Sequence, residues 1–219
     1  LKKKFLTFFL FPISVFATVG ENGDFQIWNE NIVHFKIDPR VTLAVSNEYR
    51  WGDNARKLFY KHLQPMLGCQ INPYITLKPG YRMIWLRASK VWVIFYDPFF
   101  ECILHLLQSQ HVEISNRNRI TYSIVPNELG GKNAWEYRNR INIYIPIKVR
   151  SYRLKLILGD EVFFREGRGF SQNRAIAGFI CPRSERAEFE FFYVYRNLKT
   201  RAHQWIYHNV LRLSANFYF

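Results

Sequence analysis

Three cysteines, Cys69, Cys102 and Cys181, are all that the 219 residues hold, with no CxxC pair and no histidine at ligand spacing beside them. That excludes a zinc ribbon or a disulfide-dense scaffold. The thiols read as small apolar fillers within strand-like segments, and one structural bridge between two of them is the alternative. Acidic residues are scarce as well: 17 Asp and Glu face 31 Lys and Arg, a formal net charge of +14. GxSxG, HExxH and GxxxxGKS are absent, so no motif signals hydrolase, zinc-protease or nucleotide chemistry. No apolar run reaches the roughly 20 residues that a membrane helix needs. Hydrophobic residues make 48% of the chain and charged ones 22%, a balance that excludes a disordered tail. What abounds is aromatic: 20 Phe, 13 Tyr and 6 Trp, residue types that favour strands.

The opening LKKKFLTFFLFPISVFATVG has the layout of a secretory signal: Lys2, Lys3 and Lys4, an apolar stretch from Phe5 to Ala17, then small residues. Pro12 interrupts the stretch, and Val15-Phe16-Ala17 places small residues where a signal peptidase wants them. Cleavage after Ala17 is predicted, leaving a single domain over 18–219. No cysteine follows the apolar run, which removes a lipoprotein.

From there to the end, apolar and polar residues alternate with period two, as they must in a wall between lipid and water. Trp135, Tyr137, Asn139, Ile141, Ile143, Ile145 and Ile147 share one face, while Glu136, Arg138, Arg140 and Asn142 share the other. At helical spacing the same residues would scatter round the axis. The test predicts strands near 24–37, 41–51, 58–71, 74–87, 98–107, 112–124, 134–147, 152–164, 172–181, 187–197 and 204–219. Most exceed the five or six residues usual in soluble sheets and reach the length a bilayer demands. Short connections (38–40, 72–73, 108–111, 148–151, 182–186) alternate with longer ones (52–57, 88–97, 126–133, 165–171, 198–203), the arrangement of periplasmic turns and outer loops. The fold class predicted is all-β, an antiparallel transmembrane β-barrel of about ten to twelve strands, twelve being preferred because exported barrels carry even numbers. The last segment, with Leu211, Leu213, Phe217 and Phe219 on its apolar face, resembles the signal that outer-membrane barrels present to their assembly machinery.

Several segments also resemble a bacterial family known as domain of unknown function 2490, whose members are regarded as outer-membrane barrels. The carriers are Asp24-Phe25-Gln26-Ile27-Trp28, Asn47-Glu48-Tyr49-Arg50, Pro79-Gly80-Tyr81-Arg82, Asp160-Glu161-Val162-Phe163 and Gln172-Asn173-Arg174. The most specific piece is the Arg-rich pair Ser115–Tyr122 and Trp135–Arg140, and Asn209-Val210-Leu211 fits the closing strand. The resemblance implies architecture and location in the outer membrane of a Gram-negative bacterium, and no catalytic residue.

A charge facing lipid near the midplane costs about 2–4 kcal/mol, so the polar face points into the lumen. Glu48, Arg50, Arg82, Glu113, Arg117, Arg119, Glu136, Arg138, Arg140, Glu161 and Arg174 are predicted to line it. Paired arginines and glutamates in so small a barrel read first as cross-braces. The alternative is a narrow pore, or porin, in which surplus arginine attracts small anionic solutes. A second alternative is a lipid-modifying enzyme with Ser, His and a carboxylate in contact; the six histidines are scattered, and an external site at His203 and His208 is the one pairing considered. The partners expected are outer-membrane lipids, the barrel-assembly machinery, and lipopolysaccharide phosphates met by Arg165, Arg168, Arg183, Arg186, Lys199 and Arg201. Nucleic acid is excluded by the leader and by arginines spread through a wall. No cofactor or metal is expected, and the barrel is read as a monomer.

Overall fold

The computed structural model describes residues 21–88, 91–126, 131–150, 152–200 and 202–219. The expected leader, 1–17, lies outside them. The described residues form eleven strands and no helix: β1 (Phe25–Asp38), β2 (Val41–Gly52), β3 (Lys57–Asn72), β4 (Ile75–Ala88), β5 (Val91–Gln108), β6 (Glu113–Ser123), β7 (Ala134–Val149), β8 (Tyr152–Arg165), β9 (Gly169–Ser184), β10 (Ala187–Lys199) and β11 (Trp205–Tyr218). Each pairs with its neighbours in sequence, and β1 pairs with β11, so the sheet closes into a barrel without edges.

The preference for twelve strands is corrected to eleven among the described residues. An odd number makes the first and last strands run the same way, and they do: β1 and β11 are parallel, from Phe25 opposite Asn209 to His34 opposite Tyr218. The other neighbours are antiparallel. A second correction concerns 88–97, expected as a long connection. Val91 to Tyr96 continues β5 and pairs with β4 from Ala88 opposite Val91 onward. What misled the pattern is Asp97-Pro98. Proline lacks the N–H for the ladder, so pairing to β6 is broken there, with Tyr96 opposite Ile124 and Phe99 opposite Thr121 on either side.

The barrel has two mouths. The lower one carries the turns around 39–40, 73–74 and 185–186 together with Phe219; the upper one carries 53–56, the connection between Ser123 and Ala134, 166–168 and 200–204. At the upper mouth Asp53, Asn54 and Ala55 are all left-handed, with φ of 56°, 53° and 63°, and the carboxylate of Asp24 accepts the backbone N–H of Asn54 at 2.8 Å.

Outward positions are mostly apolar or aromatic, with a set of Asn side chains and Asp160 bonded among themselves and to Tyr hydroxyls. Round the upper rim the rings touch in series: Tyr122 with Trp135, Phe164 with Phe170, Phe170 with Trp205 at 4.7, 5.7 and 5.4 Å between centroids. Leu211 and Phe219 are exposed on the outside of β11, alternating with buried Ser214 and Asn216. The three cysteines are free thiols of intermediate burial.

The interior is filled in two different ways. Across β1 and β8–β11, Trp28, Ile157, Ile176, Ile180, Phe192, Val194 and Val210 pack into one apolar cluster. Gly178 makes this possible, because a Cβ there would stand 2.7 Å from the Phe192 ring and 2.1 Å from a backbone oxygen. Across β2 and β4–β8 the interior is instead charged.

Candidate functional site

Alternation gives each strand one inward face, and successive inward residues on a strand are neighbours two apart. On β2 these are Glu48 and Arg50, paired at 2.7 Å; on β7 they are Glu136 and Arg138, paired at 2.6 Å. Other pairs cross strands. Arg82 on β4 meets Asp97 on β5 at 2.6 Å, and Arg119 on β6 donates from Nε to Glu101 on β5 at 2.7 Å. Arg174 on β9 meets Glu161 on β8 at 3.2 Å. Arg117 reaches over β7 to the same Glu161, and Arg212 on β11 bonds Glu30 on β1.

The Arg-rich hairpin makes the electrostatic problem acute. Arg117 stands opposite Arg140 and Arg119 opposite Arg138. Like charges at cross-strand distance destabilise unless carboxylates lie among them, and here Glu101 and Glu161 do. Arg117 Nη1 is 3.6 Å from Glu101 in addition to its bond to Glu161. Among the described residues no carboxylate lies within ion-pair reach of Arg140 or Arg196. Arg140 donates from Nε to Asn142 Oδ1 at 2.9 Å, and Arg196 donates from Nε and Nη2 to Gln172 Oε1 at 3.1 and 2.9 Å.

Aromatic rings carry the rest of the load. The indole of Trp28, 1% exposed, has the guanidinium carbons of Arg50, Arg174 and Arg196 at 4.0, 5.0 and 5.8 Å from its centroid. Arg174 and Arg138 lie 4.5 and 5.0 Å over Phe163, and Arg119 lies 4.3 Å over Phe99. Such contacts are worth about 0.5–2 kcal/mol each, most where water is excluded. The Phe99 ring is itself seated over Gly80, where a Cβ would come within 2.2 Å. Trp28 Nε1 donates to Gln26 Oε1, and Gln26 Nε2 donates to Asp24. The segments that carry the family resemblance therefore send Trp28, Glu48, Arg50, Arg82, Glu161 and Arg174 into the ion-pair and cation–π network, with Asp24 tied to it through Gln26.

Two cavities flank this layer. The upper one, about 930 Å³, is lined by nine basic and three acidic side chains, with Arg50, Arg82, Arg138, Arg174 and Arg196 at its inner end. The lower one, about 460 Å³, is lined by His34, Lys36, Arg40, Lys78, Tyr218 and uncharged residues. They share no lining residue. Glu113, placed with the central network in sequence, instead pairs with Lys155 at 3.3 Å, both side chains more than a third exposed.

Pattern reading missed several participants. Asp97 was hidden in the supposed loop; His62, Gln172 and Arg196 sit in phase with the inward faces of β3, β9 and β10, and parity alone could have found them. Geometry also assembles Ser, His and Glu: Ser46 Oγ is 3.4 Å from His62 Nε2, and His62 Nδ1 is 3.3 Å from Glu48 and 3.0 Å from the Tyr60 hydroxyl. Ser46 has no exposed surface and borders neither cavity, so this set reads as buried cross-strand bonding. The external site at His203 and His208 is corrected: His208 is fully buried inside the barrel, whereas His203 lies in the β10–β11 connection. The loop arginines also divide, since Arg183 and Arg186 belong to the lower mouth, and Arg165, Arg168 and Lys199 to the upper; Arg201 lies outside the described residues. No group of three or more His, Cys, Asp or Glu among the described residues is placed to hold a metal ion.

No curated protein matches the chain. Among solved structures the NanC porin, in a rhombohedral crystal form, is similar in fold, with a TM-score of 0.50, 10% identity, and coverage of 89% of this chain and 98% of that one. The expected resemblance through Asn209-Val210-Leu211 lies beyond the matched span of the family model, which covers residues 25–207. The chain belongs to the family described as protein of unknown function (DUF2490).

Proposed function

We propose that the protein is an outer-membrane β-barrel, exported behind the leader 1–17, whose lumen is held by a transverse layer of Arg–Glu pairs and which acts as a braced scaffold. One observation carries the reading. The two mouth cavities share no lining residue, and the buried pairs of Glu101, Glu161 and Glu30 with Arg119, Arg174, Arg117 and Arg212 are inward side chains that a channel down the lumen would have to displace. The bilayer setting is supported by the outer face. Its rings form girdle-like contacts, and its outward amides bond one another, Asn116 with Asn139 at 3.2 Å and Asn31 with Asn47 at 3.2 Å, as a medium without water requires. The upper mouth, with the longer connections, then faces outward, and Arg165, Arg168 and Lys199 meet lipopolysaccharide phosphates. Leu211, Leu213, Phe217 and Phe219 present the assembly signal, and the barrel is a monomer.

Planar-bilayer conductance of the purified barrel tests this: braced lumens give no steady unit conductance, and the barrel fractionates with outer membranes and migrates heat-modifiably in detergent gels. Recovery as a folded, detergent-free periplasmic protein overturns the location. A second reading, a narrow pore for small anions, is favoured by Arg140 and Arg196, which have no carboxylate within ion-pair reach among the described residues; unit conductance selective for anions establishes it in place of the scaffold. Turnover of lipid esters by the same preparation decides for or against the enzyme reading.

A further inference from the structure

The upper cavity is two-sided. In ring order β3–β5 stand across the barrel from β8–β10. The first arc lines the cavity with Phe59, Tyr60, Ile84, Leu86 and Phe95, which pack on one another as a separate apolar cluster. The arc from β7 to β10 lines it with Arg138, Arg174 and Arg196 alongside Phe163 and Leu198, while the first arc adds Arg82, which is paired with Asp97. Phe59, Tyr60 and Ile84 are buried in the apolar cluster, and Leu86 and Phe95, packed against it, stay partly exposed. A lumen that merely conducts ions, or merely braces, gains nothing from an apolar wall at its mouth, where alternation otherwise places polar residues. The volume, about 930 Å³, lies in the roughly 300–1,000 Å³ range of small-ligand pockets. On the basic side, Arg196 donates to the amide oxygen of Gln172, and the buried Gln172 Nε2 has no partner among the described protein atoms.

We infer that the upper cavity is a binding site for an anionic amphiphile, its carboxylate or phosphate held by Arg138, Arg174 and Arg196 and its acyl or aryl body laid against Phe59, Ile84, Leu86 and Phe95. Guanidinium groups suit either headgroup, because both offer two oxygens to one planar fork. The apolar wall supplies what a free inorganic anion cannot use. The inference shares with the second reading only the anion-attracting Arg196, which lines this cavity, and adds the apolar half of the ligand; it does not need a conducting lumen.

Calorimetry on the full barrel in lipid nanodiscs, with empty discs subtracted, tests it using octyl phosphate, octanoate, inorganic phosphate and octanol. Octyl phosphate or octanoate is expected to bind at least about tenfold more tightly than inorganic phosphate and octanol. The ranking of the two amphiphiles assigns the headgroup. Arg196→Gln should weaken both amphiphiles about tenfold, while Leu86→Ser, at a partly exposed position that spares the fold, should bring octyl phosphate down to the affinity of inorganic phosphate. Equal binding of octyl phosphate and inorganic phosphate overturns the amphiphile and leaves a plain anion mouth. Uptake equal to that of empty discs, or insensitivity to both variants, overturns the site altogether, whatever the conductance measurement shows.

Discussion

The two arcs of the barrel interior solve one problem by opposite means. Behind β1 and β8–β11 the lumen is closed by Trp28, Ile157, Ile176, Ile180, Phe192, Val194 and Val210, a core like that of a soluble sandwich. Behind β2 and β4–β8 it is closed by Glu48, Arg50, Arg82, Asp97, Glu101, Arg117, Arg119, Glu136, Arg138 and Glu161, so that β8 contributes to both. The apolar arc tolerates loss of any one member gradually, because dispersion and desolvation add up over many contacts. The charged arc does not, since removing one partner strands the other in a medium that cannot solvate it. Trp28 joins them, with a ring that belongs to the apolar cluster and a face covered by guanidiniums.

Glu161 should therefore be the most sensitive position in the barrel. It is 1% exposed and serves both Arg117 and Arg174. Glu161→Gln leaves two buried cations without their shared counter-charge and should cost about 3–5 kcal/mol, read as a fall in the urea midpoint of the barrel in vesicles. Ile157→Ala, on the same strand and equally buried but part of the apolar cluster, should cost less, about 2–4 kcal/mol. If the order reverses, the barrel is held by its apolar arc and the ion pairs are passengers.

The charged arc was also the more legible one. Arg117, Arg119, Arg138 and Arg140 announce an inward face because alternate charges stand out against a face that is otherwise mostly apolar, and the same logic located most strands to within a residue or two. The apolar arc gave no such signal. Ile176 and Val194 sit inward while Ala177 and Tyr193 sit outward, so the middles of β9 and β10 are apolar on both faces and period two is blurred between the inward Arg174, Glu190 and Arg196. The ring closure escaped for another reason. Pairing of β1 with β11 is a contact between chain ends, and its parallel sense follows from strand count rather than from any residue. Specific partners were likewise invisible: Glu101 and Asp97 matter through which arginine faces them, and register across β5, with its break at Pro98, decides that.

Between the arcs, Gly178→Ala tests how tightly the apolar side is built. The new Cβ meets the backbone oxygen of Phe191 as well as the Phe192 ring, and backbone cannot swing away, so a loss of about 1–3 kcal/mol is expected. Gly68→Ala serves as its control, since there the nearest atom would be at an ordinary 3.5 Å. Equal thermal stability of the two variants would show that the apolar arc relaxes freely. Arg138→Ala separates bracing from transport on the charged side. Arg138 pairs with Glu136 and stacks on Phe163, so bracing predicts a loss of about 1–2 kcal/mol from the ion pair and the stacking together with solute flux unchanged. Reduced anion preference at undiminished stability would instead make it a pore residue.

The smallest effect is expected where the chemistry is the same and the surroundings differ. Glu113→Gln removes a carboxylate from a lysine partner, Lys155, just as Glu161→Gln removes one from arginines. The Glu113 and Lys155 side chains, however, are 40% and 37% exposed near the lower mouth, against 2% for Glu161. Water solvates the lysine left behind, and salt screens the pair while it exists, so the change should cost no more than about 0.2–1 kcal/mol and should shrink further as ionic strength rises. Equilibrium unfolding of both variants at low and high salt makes the comparison direct. A Glu113 variant as damaged as the Glu161 variant would mean that charge balance over the whole lumen, rather than burial of individual pairs, sets the stability of the charged arc.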